Sequence, residues 1–354
     1  MRLKTTSISN LLLFISLSAK GLCEVIWVSY GWELFDYVND ARSASLGTAN
    51  IAYNISTPHA SILNPSHISK INNNVSLTHQ SRFANMINTE LIGFQVGEKS
   101  GIINFNIIYQ GISKIPDTRE MLLDWGEDGQ FGTNDTGEGN GVIDPGERLD
   151  NSRLKFFNQY QLGIHSAFRS TIFGLPIGFG FKLLSYSLDK KIAIGAGLDI
   201  GYNKKINQTH FGIVIKNFPA SGLIWEGGNV EGTSLSMLAG LSRAKSNIFG
   251  SQIDMNQMLG FNLYSSSANQ DSNYRNGLLS IDGAYGCEIV YKKKIIVRIG
   301  KNFVNEITGG VGLLWSHVSF DYAFLSSNAT PEIGDHHLLT INLSSDWISS
   351  KFNL

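Results

Sequence analysis

From Asn74 onward the chain alternates between apolar and non-apolar residues with a period of two, the period of a β-strand. Ile103, Phe105, Ile107 and Tyr109 are interleaved with Asn104, Asn106 and Gln110. Ile177, Phe179, Phe181 and Leu183 are interleaved with Gly178, Gly180 and Lys182. The pattern recurs at Ile192–Tyr202, Phe211–Ile215, Val318–Phe324 and Leu339–Leu343. It predicts fourteen strands, near 74–84, 89–97, 101–110, 156–168, 176–186, 191–202, 208–217, 233–243, 249–264, 277–291, 294–301, 307–315, 317–324 and 336–344. Most are close to the roughly 9–11 residues of a membrane-spanning strand.

One face of each segment is hydrocarbon or aromatic; the other mixes Gly, Ser, Asn and an occasional charge. The solvent face of a soluble sandwich would carry many more Lys and Glu. Gly on the second face leaves room for something inside. No run approaches the ~18 apolar residues of a membrane helix, and an open sheet edge cannot be satisfied in lipid. The predicted fold is therefore all-β, a closed transmembrane antiparallel barrel of about fourteen strands. The even count puts both barrel ends on one side. The long stretch 111–155 then falls on the outer side, and the tight turns Glu98-Lys99-Ser100-Gly101 and Lys292-Lys293-Lys294 fall on the periplasmic side. Tyr202, Trp315 and Phe324 are placed for the interfacial girdles.

Ahead of the strands, Asn39–Ile68 is rich in small residues (Ala41, Ser43, Ala44, Ser45, Gly47, Thr48, Ala49, Ala52) and breaks at Asn64-Pro65. Such a segment suits a confined space, which predicts a plug within 24–72 and a barrel over 73–345. Residues 346–354 form a C-terminal tail. Residues 1–23 read as a secretory signal, with Arg2 and Lys4 before the apolar Leu11–Leu17 and small residues at Ser18, Ala19 and Gly21. If Cys23 leaves with it, Cys287 is alone and no disulfide framework is expected.

Charged residues make up only 16 % of the chain, and the formal net charge is −1. A typical globular domain carries about 25 %. No basic surface for nucleic acid follows, whereas 37 Gly, 20 Phe and 12 Tyr fit a protein that faces lipid.

The acidic loop Asp124–Asp150 resembles a twelve-residue calcium loop, with Glu138, Asn140, Gly141, Ile143, Asp144 and Glu147 at its third, fifth, sixth, eighth, ninth and twelfth positions. Asp135 stands beside the first position, which falls on Thr136. Asp124, Asp128 and Asn134 are further donors. A bound Ca2+ and a solvated acidic loop both fit this stretch. Lys182, Asp199, Lys216, Arg298 and Asp321 fall on the inward face. They read as an ion-pair network around the plug, or alternatively as a polar path for substrate. Arg42 and His59 on the plug are natural partners for Asp199 or Asp321. His336 and His337 are adjacent on a strand and point to opposite faces, so they do not make a metal pair. Trp225, Tyr264 and Tyr274, in the loops Phe218–Gly232 and Ser265–Asn276, are candidate partner contacts or ordinary rim packing. No nucleophile elbow, zinc spacing or phosphate loop is present, so no enzymatic activity and no organic cofactor are expected.

Four short runs carry a family resemblance. Ala41-Arg42-Ser43-Ala44-Ser45-Leu46-Gly47 is similar to the opening GARAMGMGG run of the PorV/PorQ outer-membrane proteins, relatives of the FadL-type barrels. Ala60–Ser66, with Asn64-Pro65 at its core, resembles their ASALYWNPAG plug motif. Gly212–Phe218 resembles their Gly-Leu…Asn-Leu-Gly strand. Asp321-Tyr322-Ala323-Phe324 with Ile333-Gly334-Asp335-His336-His337 resembles the closing pair of strands. Ser66 stands where the family has Ala-Gly, and His337 where it has Arg. The resemblance implies an outer-membrane protein that takes part in type IX secretion, binding secreted cargo proteins or other secretion-system components. The FadL-type relatives imply instead a transporter of hydrophobic small molecules. A soluble, secreted calcium-binding β protein is the third expectation.

Overall fold

The computed structural model describes residues 25–27, 32–37, 39–68, 74–98, 101–248, 252–265, 272–277, 279–326 and 334–352. The expected signal segment 1–23 and the turn residues Lys99-Ser100 lie outside them. Fourteen strands form the wall: β1 Asn74–Arg82, β2 Ile87–Glu98, β3 Gly101–Asp117, β4 Lys155–Ile172, β5 Leu175–Leu188, β6 Lys191–Ile206 and β7 Thr209–Lys216; then β8 Ser236–Lys245, β9 Ile253–Ser265, β10 Leu279–Tyr291, β11 Ile295–Lys301, β12 Ile307–Leu314, β13 Val318–Leu325 and β14 His336–Ser344. Each pairs antiparallel with the next. The last returns to the first, with Asn74 opposite Ser344 and Thr78 opposite Thr340. The ring is closed, so no wall strand leaves an edge unpaired.

The polarity of the wall is inverted relative to a soluble protein. Along β3, Asn104, Asn106 and Ile108 point inward and are fully buried, while Ile103, Ile107 and Tyr109 are outside. Around the exterior, Ile194 (66 % exposed), Ile299 (59 %) and Leu183 (53 %) stand free among many such side chains. Water would not tolerate a continuous belt of this kind, and hydrocarbon requires one. The chain is an outer-membrane β-barrel. Aromatics collect toward the edges of the belt: Phe168 stacks on Phe179 (5.5 Å) and Tyr109 on Tyr160 (6.2 Å), and Trp315 meets Phe320 edge-on (6.0 Å).

The plug fills the lumen with short helices: α1 Glu33–Tyr37, α2 Ala41–Ser45, a 3-10 turn Asn50–Ala52, and α3 Ala60–Leu63. Asp40 caps α2, its Oδ1 accepting from the Ser43 amide at 2.8 Å. Wall and plug meet backbone to backbone at inward glycines. A Cβ on Gly178 would overlap the Pro65 backbone, one on Gly212 the Ile51 carbonyl, and one on Gly300 the Leu46 carbonyl carbon. Gly47 sits at φ +64° against the Lys301 carbonyl, which both sterics and conformation reserve for glycine.

Three stretches depart from the sequence reading. Residues 111–117, expected as loop, continue β3 beyond a register shift between Ile112 and Ile115. This extension is solvated, so its alternation no longer tracks a lipid face. The tail expected at 346–354 begins as a helix, α4 Ser345–Phe352. The strand expected at 208–217 ends at Lys216, and the chain then builds a second hairpin, Ser221–Trp225 with Val230–Thr233. Its first arm pairs with Ala193–Ala196 of β6. Pro219 cannot donate to a ladder, which is the reason for the break. The N-terminal Val25–Trp27 lies parallel to Val230–Gly232.

The glycine contacts set the first test. Gly178→Val is expected to destabilise the folded barrel by about 2–3 kcal/mol through overpacking. Gly283→Val, where an added Cβ meets nothing within 4 Å, should stay within about 0.5 kcal/mol. Denaturant midpoints of the two purified variants check this, and equal midpoints would refute the backbone-contact account.

Candidate functional site: the plug and the lumen

The lumen divides into a polar half and an apolar half, each meeting a different part of the plug. On the polar side, Arg42 of α2 grips Glu288 of β10 with two parallel bonds, Nε to Oε2 and Nη2 to Oε1, both 2.8 Å. Glu288 also accepts from Arg298 Nε at 2.8 Å and from Asn256 Nδ2 at 3.1 Å. Arg298 Nη2 lies 2.7 Å from Asp321 Oδ1, an ion pair by distance that is not aligned as a hydrogen bond. Two guanidinium groups thus face two carboxylates along α2–β10–β11–β13, with the buried Asp40 carboxyl capping α2 close by. Arg42 Nη1 reaches the Ile55 carbonyl at 3.3 Å, tying the far end of the plug to the same knot. A cavity of about 160 Å³ opens beside it, lined by Arg42, Thr57, Asn74, Arg298, Asp321 and Asn342 among others.

A second knot supports the break after β7. Lys182 Nζ lies 2.7 Å from both Asp199 Oδ1 and Asn217 Oδ1, and the Asn217 amide donates to Asp199 Oδ1 at 2.8 Å. Asn217 stands at φ +58°, a conformation Asn accepts more readily than most residues. Lys216 Nζ pairs with Asp36 Oδ1 at 2.6 Å, which holds α1 to the same place. The five inward charges are all buried, and they divide between these two knots.

The plug motif is stitched to itself and to the wall. Asn64 Nδ2 donates to the Ile51 carbonyl at 2.9 Å, while its Oδ1 accepts from the Ser66 amide at 3.0 Å. Pro65 lies against Gly178, Gly180 and Gly201. The Arg42 pairing differs from the expected Asp199 or Asp321, because Glu288 offers two oxygens facing one guanidinium edge. His59 takes Asn106 Oδ1 at 2.9 Å instead of a carboxylate.

The apolar half is enclosed by Leu91, Ile108, Leu184, Ala193 and Leu223, with Tyr186 and Trp225 packed against them. Trp32, Leu34 and Phe35 of the α1 region fill it, together with Ile62. The Lys182 ammonium sits 5.6 Å from the Trp32 ring and 5.8 Å from Phe35. A rim cavity of about 470 Å³ lies above, lined by Leu188, Lys191, Trp225, Glu226, Gly227, Asn229 and Glu231.

In the acidic loop, the carboxylates are spent on the loop's own amides. Asp124 accepts from the amides of Gly139, Asn140 and Gly141. Asp135 Oδ2 takes the Asp128 amide, Glu138 takes Gly132 and Asn134, and Glu147 takes Gly126 and Asp144. Asn140 Nδ2 donates to Asp144 Oδ2 at 2.7 Å. Among the described residues no three acidic, His or Cys side chains converge as metal ligands. At the base of the loop the Lys155 ammonium holds the Glu120 carboxyl below its usual range, and the Ser152 hydroxyl and amide do the same for Asp150.

The remaining candidates are placed as follows. His336 is buried edge-on to Phe83 (4.7 Å), and His337 faces outward, its Nδ1 2.8 Å from the Tyr322 hydroxyl. Trp225 packs on Tyr186 and Tyr264 donates to Asp282 Oδ2 at 2.6 Å, which is rim packing; Tyr274 is exposed. Glu288, Asp36 and Asn217 were missed. For Glu288 the signal is Asp282, Ala284, Gly286 and Glu288 at every second residue, a run that puts all four on the inward face.

No family model matches the chain, and none of the curated proteins does. Among solved structures, the Pseudomonas putida toluene transporter TodX is similar over 91 % of this chain and 98 % of its own, at 10 % identity and a TM-score of 0.48. The Acinetobacter baumannii outer membrane protein Omp33 matches 77 % of this chain and 96 % of its own, at 10 % identity and a TM-score of 0.36. The CymD monoaromatic hydrocarbon channel matches 86 % of this chain and 97 % of its own, at 11 % identity and a TM-score of 0.34. Likenesses this loose carry no argument about what passes through the barrel.

Glu288→Gln is expected to cost about 3–5 kcal/mol, because it leaves two buried guanidinium groups facing a neutral amide. Lys155→Gln, at the exposed Lys155–Glu120 pair, should leave the midpoint unchanged. Denaturation of both variants, with limited proteolysis to follow the plug, checks the pair of outcomes.

Proposed function

We propose that this barrel conducts hydrophobic small molecules across the outer membrane, without covalent chemistry. The observation that carries the reading is the apolar cluster that fills half of the lumen. An aqueous pore needs a polar interior along its length. Here Leu91, Ile108, Leu184 and Leu223 pack on Trp32, Leu34 and Phe35 of the α1 region, so apolar side chains fill that half of the lumen. Trp225 packs against this cluster and also lines the rim cavity, beside Leu188 and the charged Lys191, Glu226 and Glu231, so the apolar cluster reaches the loop end of the barrel. A break in the strand register lies beside it. The β6–β7 ladder loses register between Ile200–Ile215 and Ala196–Gly222, and Lys216–Asp36 couples that break to α1. The reading agrees with the hydrocarbon channels named above and does not rest on them.

The export role implied by the PorV/PorQ resemblance would place cargo contacts on the loops. Two of the three loop aromatics read as candidate partner contacts, Trp225 and Tyr264, are engaged in rim packing.

The test is equilibrium binding of an apolar fluorescent naphthylamine to the purified full-length protein. Leu184→Gln combined with Leu223→Gln is expected to weaken binding at least tenfold. Trp32→Ala, which opens space within the apolar cluster, should strengthen it. Unchanged affinity in both variants, with exported proteins retained on the barrel from native membranes, would replace this reading with the export role.

A further inference from the structure

Independently of what passes through the lumen, we propose that the turn Lys292-Lys293-Lys294 and its surroundings form a binding surface for anionic phospholipid headgroups in the periplasmic leaflet. The turn joins β10 to β11 at the end where both the first strand begins and the last strand finishes. Lys292 and Lys293 stand at φ 52° and 53°. Turns of this kind favour Asn and Gly, because a Cβ is disfavoured there. The chain carries two lysines where the backbone asks for neither, and backbone strain of this sort points to a role for the side chains.

The turn is also fixed in place. The Lys292 amide donates to the Gln252 carbonyl at 2.8 Å, Lys294 to Tyr291 at 3.0 Å, and Leu314 to the Lys294 carbonyl at 2.7 Å. Its backbone is thus bonded to both neighbouring connections, and the ammonium groups are presented from a rigid base. All three side chains are exposed. None is in an ion pair with another described residue.

The surface is continuous with the lipid-facing belt. Tyr291 is exposed directly above the turn, with the Lys292 ammonium 5.1 Å from its ring, and Ile295 lies opposite Tyr291 in register. Trp315, exposed on the next connection, is an interfacial aromatic at the same edge. Arg243 and Lys245 extend the charge outward from the end of β8, in register with Gln257 and Met255 of β9. Asp254 accepts from the Asn247 amide at 3.0 Å, and Asp346 lies in the first turn of α4. A rim of cations beneath aromatics, at the edge of a hydrocarbon belt, is complementary to phosphate-bearing headgroups of the adjoining leaflet.

The test exchanges the purified full-length barrel into detergent containing equal phosphatidylglycerol and phosphatidylcholine, then counts retained lipids by native mass spectrometry. Wild type should retain phosphatidylglycerol preferentially, and high salt should abolish the preference. Lysines near an anionic surface contribute about fivefold each. The triple variant Lys292→Asn, Lys293→Gly, Lys294→Asn is therefore expected to lose most of the preference. Its unfolding midpoint should hold or rise, since the turn is relieved. Lys294→Gln alone, at a position with ordinary backbone, should reduce the preference about fivefold. Equal retention of both lipids by wild type would overturn the proposal. So would an undiminished preference in the variants, or capture of an acidic periplasmic protein by this rim in place of lipid.

Discussion

A wall standing in hydrocarbon has no water to complete the hydrogen bonds of its peptide groups, and every other feature of this molecule follows from that constraint. It requires the ring of strands to close, and Asn74 meets Ser344 accordingly. It turns the apolar face outward, which leaves polar and small side chains to fill the interior. That interior is too wide to be filled by side chains alone, so a segment of the chain occupies it. The glycines at Gly178, Gly212 and Gly300 are the local expression of this demand: the plug comes close enough to touch wall backbone.

Once the plug is enclosed, Arg42 is largely cut off from bulk water and must be matched inside. Glu288 is central because it satisfies one arginine from the plug and one from the wall at the same time. A buried pair of this kind contributes little net stability compared with an apolar substitute, yet breaking it costs a great deal. Its effect here is to define where α2 sits. The Lys182–Asp199–Asn217 knot does the same for the broken strand. The first knot fixes α2 on the polar side; the second reaches the α1 region through Lys216–Asp36, while Trp32, Leu34 and Phe35 rest in apolar surroundings.

The wall was legible in the sequence because alternation is a local property, and a lipid-facing strand displays it without interruption. All fourteen strands fall where Ile103–Tyr109 and its counterparts indicated, with boundaries that move mainly where strands project into solvent. The interior was only partly legible. Inward charges such as Lys182 and Arg298 could be recognised by parity, but their partners depend on which strands face which part of the plug, and no periodicity encodes that. Glu288 was readable by the same parity and overlooked. The α1 region gave no signal because a helix of five residues, with Leu34 and Phe35 buried and Glu33 and Asp36 exposed, is too short to establish a period. Pro219 marked the break in the wall, and it was the one position in that stretch where sequence alone forbids a continuous ladder.

The seam between β1 and β14 has a bearing on how the molecule is assembled. Thr340 on the last strand is within 2.7 Å of Thr78 on the first, and its hydroxyl also accepts the Ala41 amide of α2 at 2.8 Å. The joint that completes the cylinder therefore contacts the contents. The plug precedes every wall strand in the chain, whereas the seam needs the final strand. Through Thr340 the contents and the seam share one contact, and damage to α2 becomes damage to the seam.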